Sequence, residues 1–387
     1  MKNRITLFAV LLMSVQLLPG QQPVLIDNEN LIVTHGPYLQ NLSGSGVTII
    51  WTTNRPAVPG VYLTGGKLSN TFIRNSTDGI INGGGTTHKV RIDGLEPGTK
   101  YEYRINSVQI MKYQAYKVYY GDTLTTKAVS FATFPTSGTR VKFTVVNDVH
   151  ENSGKLASYL KNGKAYEQDF YIFNGDMIDF LQDYSQLFRG FADTAVRYFA
   201  STKPFFYVRG NHETRGYLAR DIKDYFDYPG NRFYYGFSFG DVHFTVLDCG
   251  EDKPDDSRYY YGLADYARYR NEELDWLKKE VKSEDFVRAA YNIVFVHMPV
   301  LKQEKQNAAM QFLSEKFGPL LKEAGVDLVM SAHTHRNTFY NRDQTGWGFP
   351  LLVNSNNSYA EVTVEKYGIK VVVSDVSGKQ VAEYQVK

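Results

Sequence analysis

Five segments of this chain end an apolar run in residue types that bind metal ions. Val141–Val146 leads into Asn147-Asp148-Val149-His150. Residues 170–173 lead into Asn174-Gly175-Asp176-Met177-Ile178-Asp179, and Phe205–Val208 leads into Arg209-Gly210-Asn211-His212-Glu213. Residues 292–296 end in His297, and residues 327–330 lead into Ser331-Ala332-His333-Thr334-His335. Imidazole, carboxylate and amide oxygen suit first-row metals of borderline hardness. A carboxylate has two oxygens, so one aspartate can bridge two ions, and two ions roughly 3.5–4 Å apart can share one nucleophilic water. Two ionised aspartates against two divalent ions leave a positive surplus, reduced but not abolished by a bridging hydroxide, that attracts an anion such as phosphate. Burying so many ionisable groups as plain structure would be costly.

Such residues meet only if their strands lie side by side. In an open α/β sheet, binding groups gather beyond the carboxyl ends of the strands. From residue 141 onward, apolar strands alternate with helical stretches. Leu274, Leu277 and Val281 recur at helical spacing, as do Met310, Leu313, Phe317, Leu320 and Leu321. That alternation predicts an α/β domain, closed by strands at 351–354, 359–364, 369–373 and 381–386. Before it the texture is all β. Strands are expected at 47–52, 89–92, 101–108, 113–120 and 128–133, with turn signals at Pro56, Pro59, Gly65-Gly66, Pro97-Gly98 and Gly121-Asp122. Short strands at this spacing predict a β-sandwich. Residues 133–140 read as a linker.

The five motifs, in order, resemble the calcineurin-like metallophosphoesterase superfamily (D-x-H, G-D, G-N-H-[DE], H, G-H-x-H), and within it the two-domain purple acid phosphatase type. Residues 95–101 and Trp51 are similar to the tyrosine-corner region and early-strand tryptophan of a fibronectin type III domain. The resemblance implies a fibronectin type III-like sandwich over 33–135. It also implies a metallophosphoesterase domain over 141–387, two packed sheets flanked by helices (α/β/β/α). It implies that one metal takes Asp148, His150, Asp176 and His335, and the other Asp176, Asn211, His297 and His333. Asp176 would bridge, and attack would come from a hydroxide shared by the two ions. His212 would face the phosphate and assist the leaving oxygen, with Glu213 orienting it. Two departures, Asn147 and Ala332 for glycines, ask for small backbone adjustments. A third is sharper: Asp179 stands where purple acid phosphatases carry the tyrosine that binds ferric iron. A colourless centre of zinc, manganese or ferrous iron is therefore expected, without a ferric-tyrosinate. Asp179 itself reads as a helix cap or as a support beside the site. Arg209, Arg215 and Arg336 flank the motifs and could hold phosphate or form ordinary ion pairs.

Two lookalikes lie together. Gly236-Phe237-Ser238-Phe239-Gly240 matches G-x-S-x-G, but that motif needs a helix after it, and an apolar strand follows. A hairpin through Gly240-Asp241 fits better, and makes His243 a structural strand residue. His35 and His88 receive no role. Cys249, the lone cysteine, excludes an intramolecular disulfide and a thiolate cluster.

The first twenty residues read as a secretory signal peptide. Lys2 and Arg4 precede a mostly apolar run broken at Pro19. Export to the periplasm or extracellular space is expected, and no other stretch reads as a membrane span. Without Lys2 and Arg4 the basic and acidic counts are equal. There is no electrostatic footprint for nucleic acid. The leading reading is an exported phosphatase acting on small phosphate monoesters. A phosphodiesterase or nucleotidase of the same superfamily is the alternative within enzymes. A surface binding or adhesion protein with a structural metal site is the alternative outside them. Oligomeric state is open.

Overall fold

The structure, a computed structural model, describes residues 30–302 and 306–386. The expected leader, residues 1–20, lies outside them. Among the described residues no helix is long and apolar enough to cross a membrane.

Residues 33–132 form an all-β unit organised by one long strand, Gly46–Gly65. Its first half pairs with Val33–Gln40 and Gly85–Asp93. After a register shift between Thr52 and Ala57 its second half pairs with Leu68–Ile73 and Lys100–Gln114. Pro56 and Pro59, read from the sequence as turns, lie in this strand where it changes neighbours. Pro56 falls in the ladder interruption, where its missing N–H is uncounted, whereas Pro59 lies within the pairing to Lys100–Gln114, opposite Ser107. The next hairpin also differs from expectation. Lys100–Gln114 runs on unbroken and turns at Ala115-Tyr116 into Lys117–Thr125, so Tyr113 and Lys117 lie on opposite strands. The alternation looked broken because both faces of this hairpin are exposed beyond Ile110. Trp51 is fully buried. Tyr101 Oη accepts the Glu96 N–H at 2.9 Å, pinning the chain five residues upstream.

The segment read as a linker is docked. Phe134 is buried against Phe170, Phe206 and Phe239. Tyr38 Oη donates to Tyr225 O at 2.6 Å and Tyr103 Oη to Ser201 O at 2.8 Å. The all-β unit is thus keyed to the domain that follows.

That domain is two six-stranded sheets, face to face. One runs in the order Phe205–Val208, Phe170–Asn174, Val141–Val146, Ser358–Glu365, Gly368–Asp375, Gln380–Val386. The other runs Tyr235–Phe239, Val242–Leu247, Tyr291–Val296, Leu328–Ser331, Leu351–Val353, Thr338–Tyr340. Aromatic rings fill the space between them, with Phe143, Phe170, Phe244 and Phe295 in stacked and edge contacts. Strand Tyr291–Val296 shows the layering. Ile293 and Phe295 face this inner core. Val294 and Val296 face an outer one made with Leu277, Leu313 and Phe317 of the helices. Strands covered on both faces read as unbroken apolar runs, which is why they were visible in the sequence. Val141–Val146, Phe170–Asn174 and Phe205–Val208 are parallel, as are Val242–Leu247, Tyr291–Val296, Leu328–Ser331 and Leu351–Val353. The carboxyl ends of both parallel sets carry the motifs. The G-x-S-x-G lookalike is the expected antiparallel hairpin of Tyr235–Phe239 with Val242–Leu247. Ser238 and His243 are cross-strand partners, hydrogen-bonded at 2.9 Å, and Glu280 takes the other ring nitrogen at 3.0 Å.

Candidate metal centre

The loops after the strands are tight and bonded to one another. The N–H groups of Asp148, His150 and Glu151 donate to the carbonyls of Gly175, Asp176 and Met177 at 2.9–3.0 Å, and Ala332 N–H donates to His297 O at 2.8 Å. Asp148, His150, Asp176, His333 and His335 all have left-handed backbones, with φ from 48° to 69°. Each such residue costs roughly 1 kcal/mol or more, and accumulation of that cost in one place is typical of a functional site. Two glycines allow the closeness. A Cβ on Gly175 would lie 2.4 Å from His297 Nδ1, and one on Gly210 would lie 2.2 Å from Asp176 Oδ1.

Two ligand groups result, one of Asp148, His150 and His335, the other of Asp176, His297 and His333. His335 Nε2 is 3.1 Å from Asp148 Oδ1, and His297 Nε2 is 3.1 Å from Asp176 Oδ2. The donor chemistry fits metal ions. His150 Nδ1 faces Asp179 Oδ1 at 2.8 Å, and His297 Nδ1 faces Asn174 O at 2.8 Å. Each contact places a proton on Nδ1 and turns Nε2 toward the cluster. His150 Nε2 and Asn211 Oδ1 are buried and have no hydrogen-bond partner, while His297 Nε2 has the Asp176 carboxylate beside it. Unpaired buried acceptors are costly, and a cation shared among them removes that cost.

The electrostatics agree. Burial pushes the Asp148 and Asp176 carboxyls up. The His335 hydrogen bond to Asp148 and the His297 charge beside both overcome it and hold them below the usual carboxylate range. Burial lowers His333 to about 4, leaving it neutral. Burial also opposes charge on His297, but Asp176 outweighs it and lifts that imidazole to about 10, so an entering ion displaces a proton.

His212 stands at the edge of this cluster, Nε2 4.0 Å from Asp176 Oδ2. Its Nδ1 bonds the Asp179 carbonyl at 2.8 Å, and Arg215 Nη1 donates to Nε2 at 3.1 Å. Asp179 caps no helix. Its side chain, 49% exposed, orients His150 while its carbonyl orients His212. His150, Asp179 and His212 therefore form a third compact group.

Three expectations are corrected. Glu213 does not orient the His212 ring. Its fully buried carboxylate accepts the N–H groups of Asp176, Met177 and Gly210 and the Tyr207 hydroxyl at 2.7–2.9 Å, lashing the second and third motifs together. Arg209 is not available to phosphate. It is buried on Asp248 at 2.6 Å, with its guanidinium 4.0 Å from the Phe233 ring centroid. Asn147 is more than an adjusted glycine. Its Nδ2 donates to Asp148 Oδ2 at 2.7 Å, and Asn354 fixes its Oδ1 at 2.6 Å. Arg336 is exposed, with its backbone N–H on Thr334 Oγ1. Glu251, which holds Arg215 bidentately at 2.9 and 3.0 Å, went unnoticed because Glu251-Asp252-Lys253 reads as a solvated charge run. An asparagine beside a metal aspartate was the available signal for Asn147.

Comparison with known proteins gives a match to the calcineurin-like phosphoesterase family over residues 141–337. Purple acid phosphatase 21 of Arabidopsis thaliana is 23% identical, over 65% of this chain and 52% of that protein. Purple acid phosphatase 18 of the same plant is 25% identical, over 74% and 62%. The alignments thus span less than two thirds of those relatives' lengths. Among solved structures, the purple acid phosphatase PPD1 of yellow lupin (Lupinus luteus) seeds superposes with a TM-score of 0.68 over 90% of this chain and 73% of its own, at 14% identity. PhoD superposes at 0.60 over 89% and 91%, at 12% identity. These likenesses establish a shared fold, an N-terminal all-β unit before a mixed metallophosphoesterase sandwich.

Proposed function

The chain belongs to the calcineurin-like phosphoesterase family, and from that premise we propose that it hydrolyses phosphate monoesters at a two-metal centre outside the cytoplasm. The observation that carries the reading is the pair of partnerless buried acceptors, His150 Nε2 and Asn211 Oδ1, beside two ionised aspartates. Asp148, His150, Asp176 and His335 would hold one ion, and Asp176, Asn211, His297 and His333 the other. Bound divalent ions supply Lewis-acid charge for the phosphoryl oxygens and lower the pKa of water. The chain's own residues do the rest. Asn147 fixes the Asp148 carboxylate, Asp179 and Asn174 aim the His150 and His297 rings, and Glu213 holds the loops of Asp176 and Asn211 in register. His212 is not a ligand in this scheme. It faces the leaving oxygen and supports its departure. A purely structural metal site needs no such histidine, which favours an enzyme over an adhesion module. Monoesters are preferred because the relatives named above are phosphatases. Export rests on the basic start and apolar run of the first twenty residues.

The test is hydrolysis of a chromogenic monoester and its matching diester by chelator-treated protein, restored with zinc, manganese or ferrous iron in turn. Turnover that needs metal, favours the monoester and disappears in His212→Ala with metal retained is the expected result. A diester preference would replace monoesterase with diesterase. Retained turnover in His212→Ala would remove that residue's role.

A further inference from the structure

The hairpin of Lys100–Gln114 with Lys117–Thr125 outruns the body of the all-β unit. Lys100–Gln114 pairs with Gly46–Gly65 only as far as Gln109, opposite Ala57. Beyond it, among the described residues, the ladder continues only with the returning strand. The pairs are Ile110 with Tyr120, Lys112 with Tyr119, Tyr113 with Val118 and Gln114 with Lys117, with a register shift between Ile110 and Lys112. Cross-strand partners share a face, and so do residues i and i+2. One face of the hairpin therefore carries Ile110, Tyr113, Val118 and Tyr120. The other carries Lys112, Gln114, Lys117 and Tyr119, with Lys117 Nζ 4.6 Å from the Tyr119 ring centroid. Ile110 is still buried, but Tyr113 is 69% exposed, Tyr120 58%, and Tyr116 at the turn is fully exposed. Exposed as they are, these rings add little to the packing of the fold, and clustered exposed apolar groups mark interaction sites.

Three features select the occupant. Both faces and the tip are open, so the partner must close around the hairpin. A lipid surface does that, whereas a protein groove covers one side. Tyrosine has an apolar body and a wet hydroxyl, the chemistry of the membrane–water boundary. The charge is one-sided as well: Lys112 and Lys117 stand near the tip, and no acidic residue lies between Glu102 and Asp122. We propose that the hairpin over 110–120 docks the protein on an anionic lipid surface. Its tyrosines enter the headgroup boundary, and Lys112 and Lys117 meet the lipid phosphates. Six residue steps from Ile110 to Tyr116, at about 3.3 Å each, reach about 20 Å, so the tip enters while the body stays in water. The inference is independent of the metal centre and of its reaction.

The test attaches an environment-sensitive fluorophore to the full chain through Tyr116→Cys. Cys249 is buried and does not take the label. Tyr367→Cys, at an 84% exposed position of the two-sheet domain, is the labelled control. The apolar run of the first twenty residues is common to both, so the difference between the two positions is what counts. Each protein is titrated with vesicles of phosphatidylcholine, alone or mixed with phosphatidylglycerol. A blue shift at position 116 with the mixed vesicles, and none at 367, is expected. A lysine near such a surface contributes about fivefold, so Lys112→Gln with Lys117→Gln should weaken partition about 25-fold, and added salt should weaken it too. Tyr113→Ser with Tyr120→Ser should abolish the shift and leave Tm nearly unchanged, as for other surface changes. No shift at position 116 with the mixed vesicles, an equal shift at 367, or partition indifferent to the two lysines would overturn the proposal. A shift with polyglutamate and none with vesicles would overturn it in favour of an acidic protein partner.

Discussion

Glu213→Gln changes one atom and should unsettle the whole centre. The carboxylate sits at zero exposure and takes four donors at 2.7–2.9 Å, with the Ile178 N–H a longer fifth at 3.5 Å. Oε1 accepts Met177 N–H at 2.7 Å and the Tyr207 hydroxyl at 2.8 Å. Oε2 accepts Gly210 N–H at 2.8 Å and Asp176 N–H at 2.9 Å. Burial and the Asp176 charge push this carboxyl up, yet its bonded partners are all donors, so the ionised form is the one that satisfies the geometry. A glutamine amide must place NH2 against one of these donor pairs. Two buried donors then lose their acceptor at about 1–3 kcal/mol each, so the expected loss is about 3 kcal/mol, a little less if the loop relaxes. Urea unfolding of chelator-treated protein near neutral pH measures it, with metal stoichiometry taken alongside. The two loops that lose their tie carry Asp176 and Asn211, so weaker retention of at least one ion should accompany the instability. Stability within about 0.5 kcal/mol of wild type, the range of ordinary surface changes, with full metal retention, would refute the claim that Glu213 holds the two motifs together.

Asp179→Ala removes the carboxylate that orients His150 and should weaken metal binding about 10- to 100-fold. Competition with a calibrated chelator reads this, and an affinity within about twofold of wild type would count against the role. Gly175→Ala places a methyl 2.4 Å from His297 Nδ1 and 2.8 Å from Gly210 Cα on a backbone with φ of 83°. It should cost at least about 2 kcal/mol, seen as a lower Tm with loss of metal; an unshifted Tm would show that the loops are looser than described. His88, buried in the all-β unit with Nε2 on Thr53 Oγ1 at 2.7 Å, is lowered by burial to about 4. Its folded value lies below its unfolded one, so its stability contribution is complete above the unfolded value and is lost as pH falls toward about 4. Between about pH 7.5 and about pH 5 the loss should be about 2 kcal/mol. His88→Gln should lack that increment when its urea midpoints are compared with wild type, and parallel pH curves would remove His88 as the cause.

The sequence by itself determined the strands that end in the motifs and the order of those motifs. Strands buried on both faces must be apolar throughout, and Val141–Val146 and Phe205–Val208 fall at their expected bounds. Ligand chemistry needs particular side chains, so Asp148, Asp176 and His297 announce themselves. Where strands are half exposed, pattern fails, and the hairpin turn at Ala115-Tyr116 and the sheet change inside Gly46–Gly65 were misread. The supports of the site were also out of reach. Asn147 on Asp148, Glu213 on four donors, Arg209 on Asp248 and Glu251 on Arg215 are pairings of common polar residues up to 39 positions apart. Local spacing assigns a charged residue to solvent by default. Only the packing of two sheets decides which charges are buried, and burial then dictates that each must find its partner.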